Sequence, residues 1–230
     1  MTARQDQLDG VAEAWDVEYA AGRYRDEPPL PFVADVLSAI RAHDLLGPEG
    51  LYVGCGNGRN YLPLVRAGLD LVGLDVSAAA LARLAERAPD RRERLIHGEL
   101  SALPAGAAYD LVIGIQVFQH GDRATAHDHF RAAQARLAPG GLFCLRVNAV
   151  GTELEHDHDV VERDGGGGFT VRYLAGPKRG LLIHFFAKSE LDALFAGYDL
   201  VLKPRLSQTW RVTPKRGQWS QWEAIYRKPA

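Results

Sequence analysis

The chain has no long apolar run: nothing in its 230 residues approaches the ~20 consecutive apolar residues that a bilayer-spanning helix needs. Its first residues, Met1-Thr-Ala-Arg-Gln-Asp-Gln, lack the apolar core of a signal peptide. Neither sign of charge dominates. With 27 Lys and Arg against 29 Asp and Glu the formal net charge is −2, which leaves no basic surplus for a polyanion. Cysteine is scarce: Cys55 and Cys144 both fall in or beside segments that read as core strands, which excludes a disulfide framework and suits reduced thiols. No internal repeat is visible. These absences point to a cytoplasmic protein with neither membrane nor nucleic-acid partners. Apolar residues make up 47% of the chain, enough at this length for one well-buried domain.

What is present centres on Leu51-Tyr-Val-Gly54-Cys-Gly56-Asn-Gly58-Arg-Asn60. A short apolar run meets three glycines at alternate positions and passes into an amphipathic segment, which reads as strand, tight turn, helix. Glycines let backbone approach a ligand closely, so such a turn makes a binding floor. Around it, strands are expected near 51–54, 69–75, 94–97, 109–115 and 142–147. They alternate with helices over 60–67, after the Ser77 cap, and along the stripe Ala126, Phe130, Ala133 and Leu137. Pro139-Gly-Gly141 is expected to turn the chain before the fifth strand. Such alternation implies a mostly parallel sheet covered on both faces, with ligands at the strands' carboxyl ends where strand order reverses.

Four regions follow. Residues 1–47 form an N-terminal cap: a helix over about 5–20 carrying Leu8, Val11, Ala12, Trp15 and Tyr19, a proline-rich crossing segment, and a helix marked by Phe32, Val33, Val36, Leu37 and Ile40. Residues 48–148 are the cofactor-binding core. Residues 149–186 are an insertion, read as a polar, glycine-rich mobile loop over 151–168 followed by a hairpin of 169–173 with 181–185, placed to act as a lid. Residues 187–230 hold a helix capped at Ser189, a strand near 198–203 and a last strand near 222–227.

The ligand can be narrowed from spacing. A dinucleotide turn has glycines as G-x-G-x-x-G; here the third comes one position early and Arg59 stands where helix and strand should pack closely. Asp75 ends the second strand, where a carboxylate can accept both hydroxyls of a ribose. Glu99 follows the third strand within reach of an adenine amino group, with Leu100 free to pack on the ring. Two acids disfavour a pyrophosphate and tolerate a sulfonium with an ammonium. The balance favours S-adenosylmethionine over NAD.

Val53-Gly-Cys-Gly-Asn-Gly-Arg-Asn60, Val72-Gly-Leu-Asp75, Gly98-Glu99-Leu100, Tyr109-Asp-Leu-Val112 and Leu137-Ala-Pro-Gly-Gly141 together resemble the ordered motifs of class I S-adenosylmethionine-dependent methyltransferases. With Trp15-Asp-Val-Glu-Tyr19, the resemblance is nearest to the tellurite-resistance and thiopurine type acting on small molecules. It implies a single α/β, Rossmann-like domain with a seven-stranded, mostly parallel sheet, last strand antiparallel, and helices on both faces. It also implies residue roles. Gly54, Cys55 and Gly56 would run under the methionine part of the cofactor; Asp75 would hold the ribose, with Val76 against the adenine. Glu99 and Leu100 would flank the base, and Gln116 would lie near the methyl group. Tyr19 and Tyr24 are candidates to close over the cofactor.

Methyl transfer from a sulfonium mainly requires an in-line nucleophile and exclusion of water, with a base only where the acceptor holds a poorly acidic proton. His120 and His184 are the candidate bases, His120 because histidine titrates near neutral pH. Gln119, Arg146 and Asn148 are further polar groups at the strand ends. Glu155-His156-Asp157-His158-Asp159 alternates ligand types without a reason to converge, so it reads as a solvated loop and no metal is expected. Arg205, Trp210, Arg211, Lys215 and Arg216 form a basic, aromatic C-terminal segment suited to an anionic or aromatic substrate. The expected partner is a small molecule whose accepting atom is oxygen, nitrogen, sulfur or a metalloid; no feature specifies an oligomeric state. The rival readings are a non-catalytic S-adenosylmethionine-binding module and an NAD-dependent oxidoreductase, the latter opposed by the absence of a Tyr-x-x-x-Lys pair.

Overall fold

Apolar segments and capped amphipathic segments alternate from residue 49 onward and assemble into a sheet with helices on both faces. The computed structural model describes residues 3–24, 26–213 and 216–230, with the side chains of 3–9 left out. The Leu8 side chain and Lys215, both used above, lie outside the described residues.

The chain begins with α1 (Ala3–Ala20) and α2 (Phe32–Ala42). It then alternates β1 (Glu49–Val53), α3 (Tyr61–Arg66), β2 (Asp70–Asp75), α4 (Ala78–Arg87), β3 (Leu95–His97), β4 (Tyr109–Ile115), α5 (Arg123–Gln134) and β5 (Leu137–Asn148). Local chemistry accounts for the boundaries. Ser77 Oγ accepts the Ala80 N–H at 3.0 Å to start α4, and an Asp122 carboxylate oxygen accepts the Thr125 N–H at 2.8 Å to start α5. Pro63 is tolerated in α3 because it falls in the first turn, where its missing N–H has no partner within the helix.

After β5 come β6 (His158–Arg163), β7 (Phe169–Tyr173), β8 (Leu182–Phe185), α6 (Lys188–Leu194), β9 (Asp199–Trp210) and β10 (Gln218–Arg227). The main sheet has the order β3-β2-β1-β4-β5-β10-β9. β1 to β5 pair in parallel, and β10 runs antiparallel to both neighbours. The expected seven strands with an antiparallel last one are therefore present. One face packs on α2, α3 and α4 through Val36, Ile40, Leu64 and Leu84; the other packs on α5 and α6 through Phe130, Phe143, Leu191 and Phe195. Strand order reverses between β1 and β4, and the glycine turn leaves β1 at that point.

Four local expectations are corrected. Pro139-Gly-Gly141 does not separate helix from strand: β5 starts at Leu137 and carries these residues as an irregularity against β4, so Leu137 belongs to the sheet and not to the stripe of α5. Residues 151–168 are not a featureless loop, since β6 lies within them and pairs with β7, making the inserted hairpin a three-stranded antiparallel sheet. Ser189 does not cap α6; the cap position is Ala187, whose N–H donates to the Glu190 carboxylate at 3.0 Å. The sixth strand is twelve residues long, because β9 follows β10 along its whole length. Among the described residues no helix is long and apolar enough to cross a membrane.

Candidate cofactor site

The carboxyl ends of β1, β2 and β4 open into a cavity of about 280 Å³. Its floor is the glycine turn. Gly54 and Cys55 both donate their N–H groups to the Leu74 carbonyl, at 2.7 and 3.1 Å, which ties the turn to β2. Gly54, Gly56 and Gly58 all have φ between +56 and +91°. A Cβ on Gly56 would come within 2.4 Å of the Tyr19 hydroxyl, and one on Gly54 within 2.8 Å of Val117, so side chains are excluded by space as well as by dihedral.

Asp75 stands at the end of β2 in the cavity wall. One carboxylate oxygen accepts the Gly56 N–H at 2.7 Å and the other the Ser77 N–H at 2.9 Å. Burial pushes its carboxyl up, against those two donors. Each oxygen keeps a further lone pair for a ligand. Val76, Glu99 and Leu100 line the same side, and Gln116 and Val117 the side below β4.

The roof comes from the N-terminal segment: Val11, Trp15 and Tyr19 on α1 and Tyr24 just after it. α1 is clamped to α4 by Asp16, one of whose oxygens accepts both the Ser77 Oγ–H at 2.5 Å and the Ala79 N–H at 3.1 Å. Burial, and then the Asp75 charge, raise the Tyr19 hydroxyl well above its ordinary value, so it stays protonated. The Cys55 thiol is raised by the same two causes and is no nucleophile. Three non-glycine residues among those described have positive φ: Tyr24 (57°), Asp44 (55°) and Gln116 (61°). Two of them line this cavity, where backbone strain concentrates at ligand sites.

Residues 51–143 match a family described as a methyltransferase domain. Over that stretch, from β1 through the glycine turn into β5, the chain is similar to a methyltransferase domain. It is 35% identical over 126 residues to the ubiquinone biosynthesis O-methyltransferase of Methylobacterium sp. (strain 4-46), covering 50% of this chain and 49% of that one. The chain thus spans about half the length of that relative. The ubiquinone biosynthesis O-methyltransferase of Brucella ovis is 29% identical over 232 residues, covering 92% of this chain and 86% of that one. In fold it is similar to the Burkholderia thailandensis 1,6-didemethyltoxoflavin-N1-methyltransferase, solved with 1,6-didemethyltoxoflavin and S-adenosylhomocysteine. The TM-score is 0.65 at 19% identity, over 100% of this chain and 92% of that one. TehB from Haemophilus influenzae gives a TM-score of 0.57 at 17% identity, over 83% and 61%.

The structure brings Gly54, Cys55, Gly56, Asp75, Val76, Glu99, Leu100, Gln116, Tyr19, Tyr24 and His120 to one cavity. It does not bring His184 there. That side chain is fully buried at the junction of β8 and α6, its Nε2 on the Glu190 carboxylate at 3.1 Å and its Nδ1 hydrogen-bonded to Thr170 Oγ at 2.9 Å. His127 Nε2 and Arg123 Nε reach the same carboxylate, at 2.9 and 2.8 Å; burial raises the Glu190 carboxyl, but the hydrogen bonds of His127, His184 and the Ala187 N–H outweigh it and hold it well below the usual range. His127, His184 and Glu190 are the group of potential metal ligands that converges among the described residues, within 4.8 Å, and the Arg123 cation already shares its carboxylate. His120 does line the cavity, but burial lowers its pKa to about 3, so it is neutral at physiological pH instead of titrating there.

The C-terminal basic residues are not gathered at the cavity. Arg205 pairs with Asp35 and Glu223, Arg211 donates to the carbonyls of Glu153 and Arg216, and Trp210 is 70% exposed. No residue of 149–230 is in the cavity wall among the described residues, so α1 and the segment after it form the roof without the insertion. Asn57, Arg59, Asn60 and His129 line the cavity and were not assigned there from sequence. The polar run directly after the glycines was the available signal for the first three; His129 sits on α5, and only the tertiary fold brings it near.

Proposed function

We propose that the chain transfers a methyl group from S-adenosylmethionine to a small molecule by direct in-line displacement. The observation that carries this reading is the pairing of a glycine floor with Asp75, whose carboxylate grips the Gly56 N–H at 2.7 Å and faces the cavity beside Glu99. In that arrangement Asp75 holds the ribose, Val76 and Leu100 sandwich the adenine, and Glu99 takes its amino group. The amino-acid end lies over Gly54 to Gly56 among Asn57, Arg59 and Asn60. The cofactor supplies an electrophilic methyl; the protein's part is to position both reactants and shut out water. Tyr19 and Trp15 do the latter from above. His120 lines the cavity as a neutral imidazole that burial makes a weak base, with a pKa of about 3, and its part there is to hydrogen-bond the acceptor.

Calorimetric titration with S-adenosylmethionine, S-adenosylhomocysteine and NAD tests the reading, followed by a methyl-transfer assay over a small-molecule panel. Binding of the first two without NAD, and turnover of at least one panel member, is expected. Tight NAD binding with no response to the other two would overturn the cofactor assignment, and binding without turnover across the panel would favour a non-catalytic module.

A further inference from the structure

Beside the cavity, on the face of the sheet that carries α2 and α3, two buried polar atoms have no hydrogen-bond partner: Arg146 Nη1 on β5 and Gln221 Oε1 on β10. Both residues are at most 5% exposed. Unpaired buried polar atoms cost about 1–3 kcal/mol each, so a folded chain retains them chiefly where something else completes them. Their setting is ordered. Asn148 pairs with Gln221 and Arg146 with Glu223 across the β5–β10 ladder, which puts all four side chains on one face. The Trp219 indole N–H donates to Asn148 Oδ1 at 3.2 Å, and so does Gln221 Nε2 at 3.2 Å. An indole N–H can only donate, so Asn148 Oδ1 is the acceptor, the Gln221 amide is fixed as donor to it, and Gln221 Oε1 is left over.

The row adjoins the cavity. Ile115, in its wall, is the β4 neighbour of Arg146; the Gln116 N–H donates to the Arg146 carbonyl at 2.7 Å; and Tyr24 and Arg59, also in the wall, are among the groups the guanidinium feels. The charges nearby are balanced: Arg146 pairs with Glu223 at 2.9 Å, Arg59 with Glu27 at 2.9 Å, and Arg23 with Glu18. A spare guanidinium N–H in a neutralised setting suits an uncharged oxygen better than an anion, and the spare amide oxygen requires a donor next to it.

The geometry points to Arg146 and Gln221, walled by Trp219, as the acceptor subsite, specific for a neutral planar molecule bearing an adjacent hydrogen-bond acceptor and donor, such as a hydroxy-carbonyl or an amide. This rests on the methyl-transfer reading and names its substrate class. Both atoms are closed off from solvent in this structure, so the acceptor reaches them only when the wall between them and the cavity opens.

The test uses the full chain saturated with S-adenosylhomocysteine and three probes titrated by NMR: salicylamide (neutral, adjacent donor and acceptor), benzoate (anion) and benzylamine (cation). Salicylamide is expected to bind at least tenfold more tightly than either of the others. Arg146→Lys, which keeps a cation beside Glu223, and Gln221→Met are each expected to lose that preference while S-adenosylhomocysteine affinity stays within twofold. Equal binding of the three probes, preference for benzoate, or variants that discriminate like the parent would overturn the subsite while leaving the cofactor reading intact. Failure of S-adenosylhomocysteine itself to bind would instead overturn the reading beneath it. Should Arg146→Lys not fold, the parent's ranking and Gln221→Met still decide.

Discussion

Asp75 acts on the protein before it acts on any ligand, because its two oxygens already hold the N–H groups of Gly56 and Ser77. Asp75→Ala should therefore weaken S-adenosylhomocysteine binding by more than ~1.4 kcal/mol, tenfold, and also lower stability; calorimetry and denaturation titrations read the two separately. An unchanged affinity would show that the ribose lies elsewhere. His120 supplies a pH test. Its folded pKa, about 3, lies below the ordinary 6.5, so the unfolded chain binds the proton more readily. The stability linked to it is complete above about 6.5 and is lost as pH falls from there toward about 3. His120→Gln should accordingly lose less stability than the parent between pH 7 and pH 4.5 in urea titrations. Asp75 and the glycines were readable from sequence because a turn and the strand end beside it are local. His184 was placed wrongly and Arg146, though a candidate, had no assigned face: a histidine on a short strand and an arginine on a buried one have two faces to choose between, and only the packing of α6 and the pairing with β10 decides.

At the scale of elements, the roof and the inserted sheet depend on different anchors. α1 is held over the cavity by Asp16 on the Ser77 hydroxyl and the Ala79 N–H. Asp16→Ala should reduce cofactor affinity several-fold with little change in global stability, and S-adenosylhomocysteine should slow proteolysis of α1 in the parent more than in the variant. The inserted sheet is joined to α5 and α6 through Glu190, which His127, His184, Arg123 and the Ala187 N–H surround. Breaking such a buried pair costs about 3 kcal/mol or more, so Glu190→Gln should be destabilised by that order at pH 7. Since the Glu190 carboxyl is held below its usual range, its contribution is present above the ordinary carboxylate value of 4.5 and is lost as pH falls below it. The gap between parent and variant should close in acid. The core strands and helices were legible from alternation and caps. β6 and the length of β9 were not, because exposed or edge strands carry polar sequences that alternate weakly, and their partners alone make them strands.

For the whole molecule, binding and folding are one equilibrium. S-adenosylhomocysteine at a hundred times its Kd should add about 2.7 kcal/mol of stability, which for a domain of this size raises Tm by roughly 5–10 °C, whereas NAD at the same concentration should leave it unmoved. The mostly parallel sheet and the position of the glycine turn where strand order reverses could be anticipated, since parallel alternation leaves few arrangements. The reversed direction of β10 has a consequence of another kind. It lets Trp219, Gln221 and Glu223 arrive at the rim from the opposite end of the polypeptide to the glycines. In the acceptor subsite proposed above that strand meets Arg146 of β5, so its specificity would be divided between two separate stretches of gene. Recombination that replaces only the closing hairpin, 199–227, would alter the part supplied by Trp219 and Gln221 while the cofactor floor is left untouched.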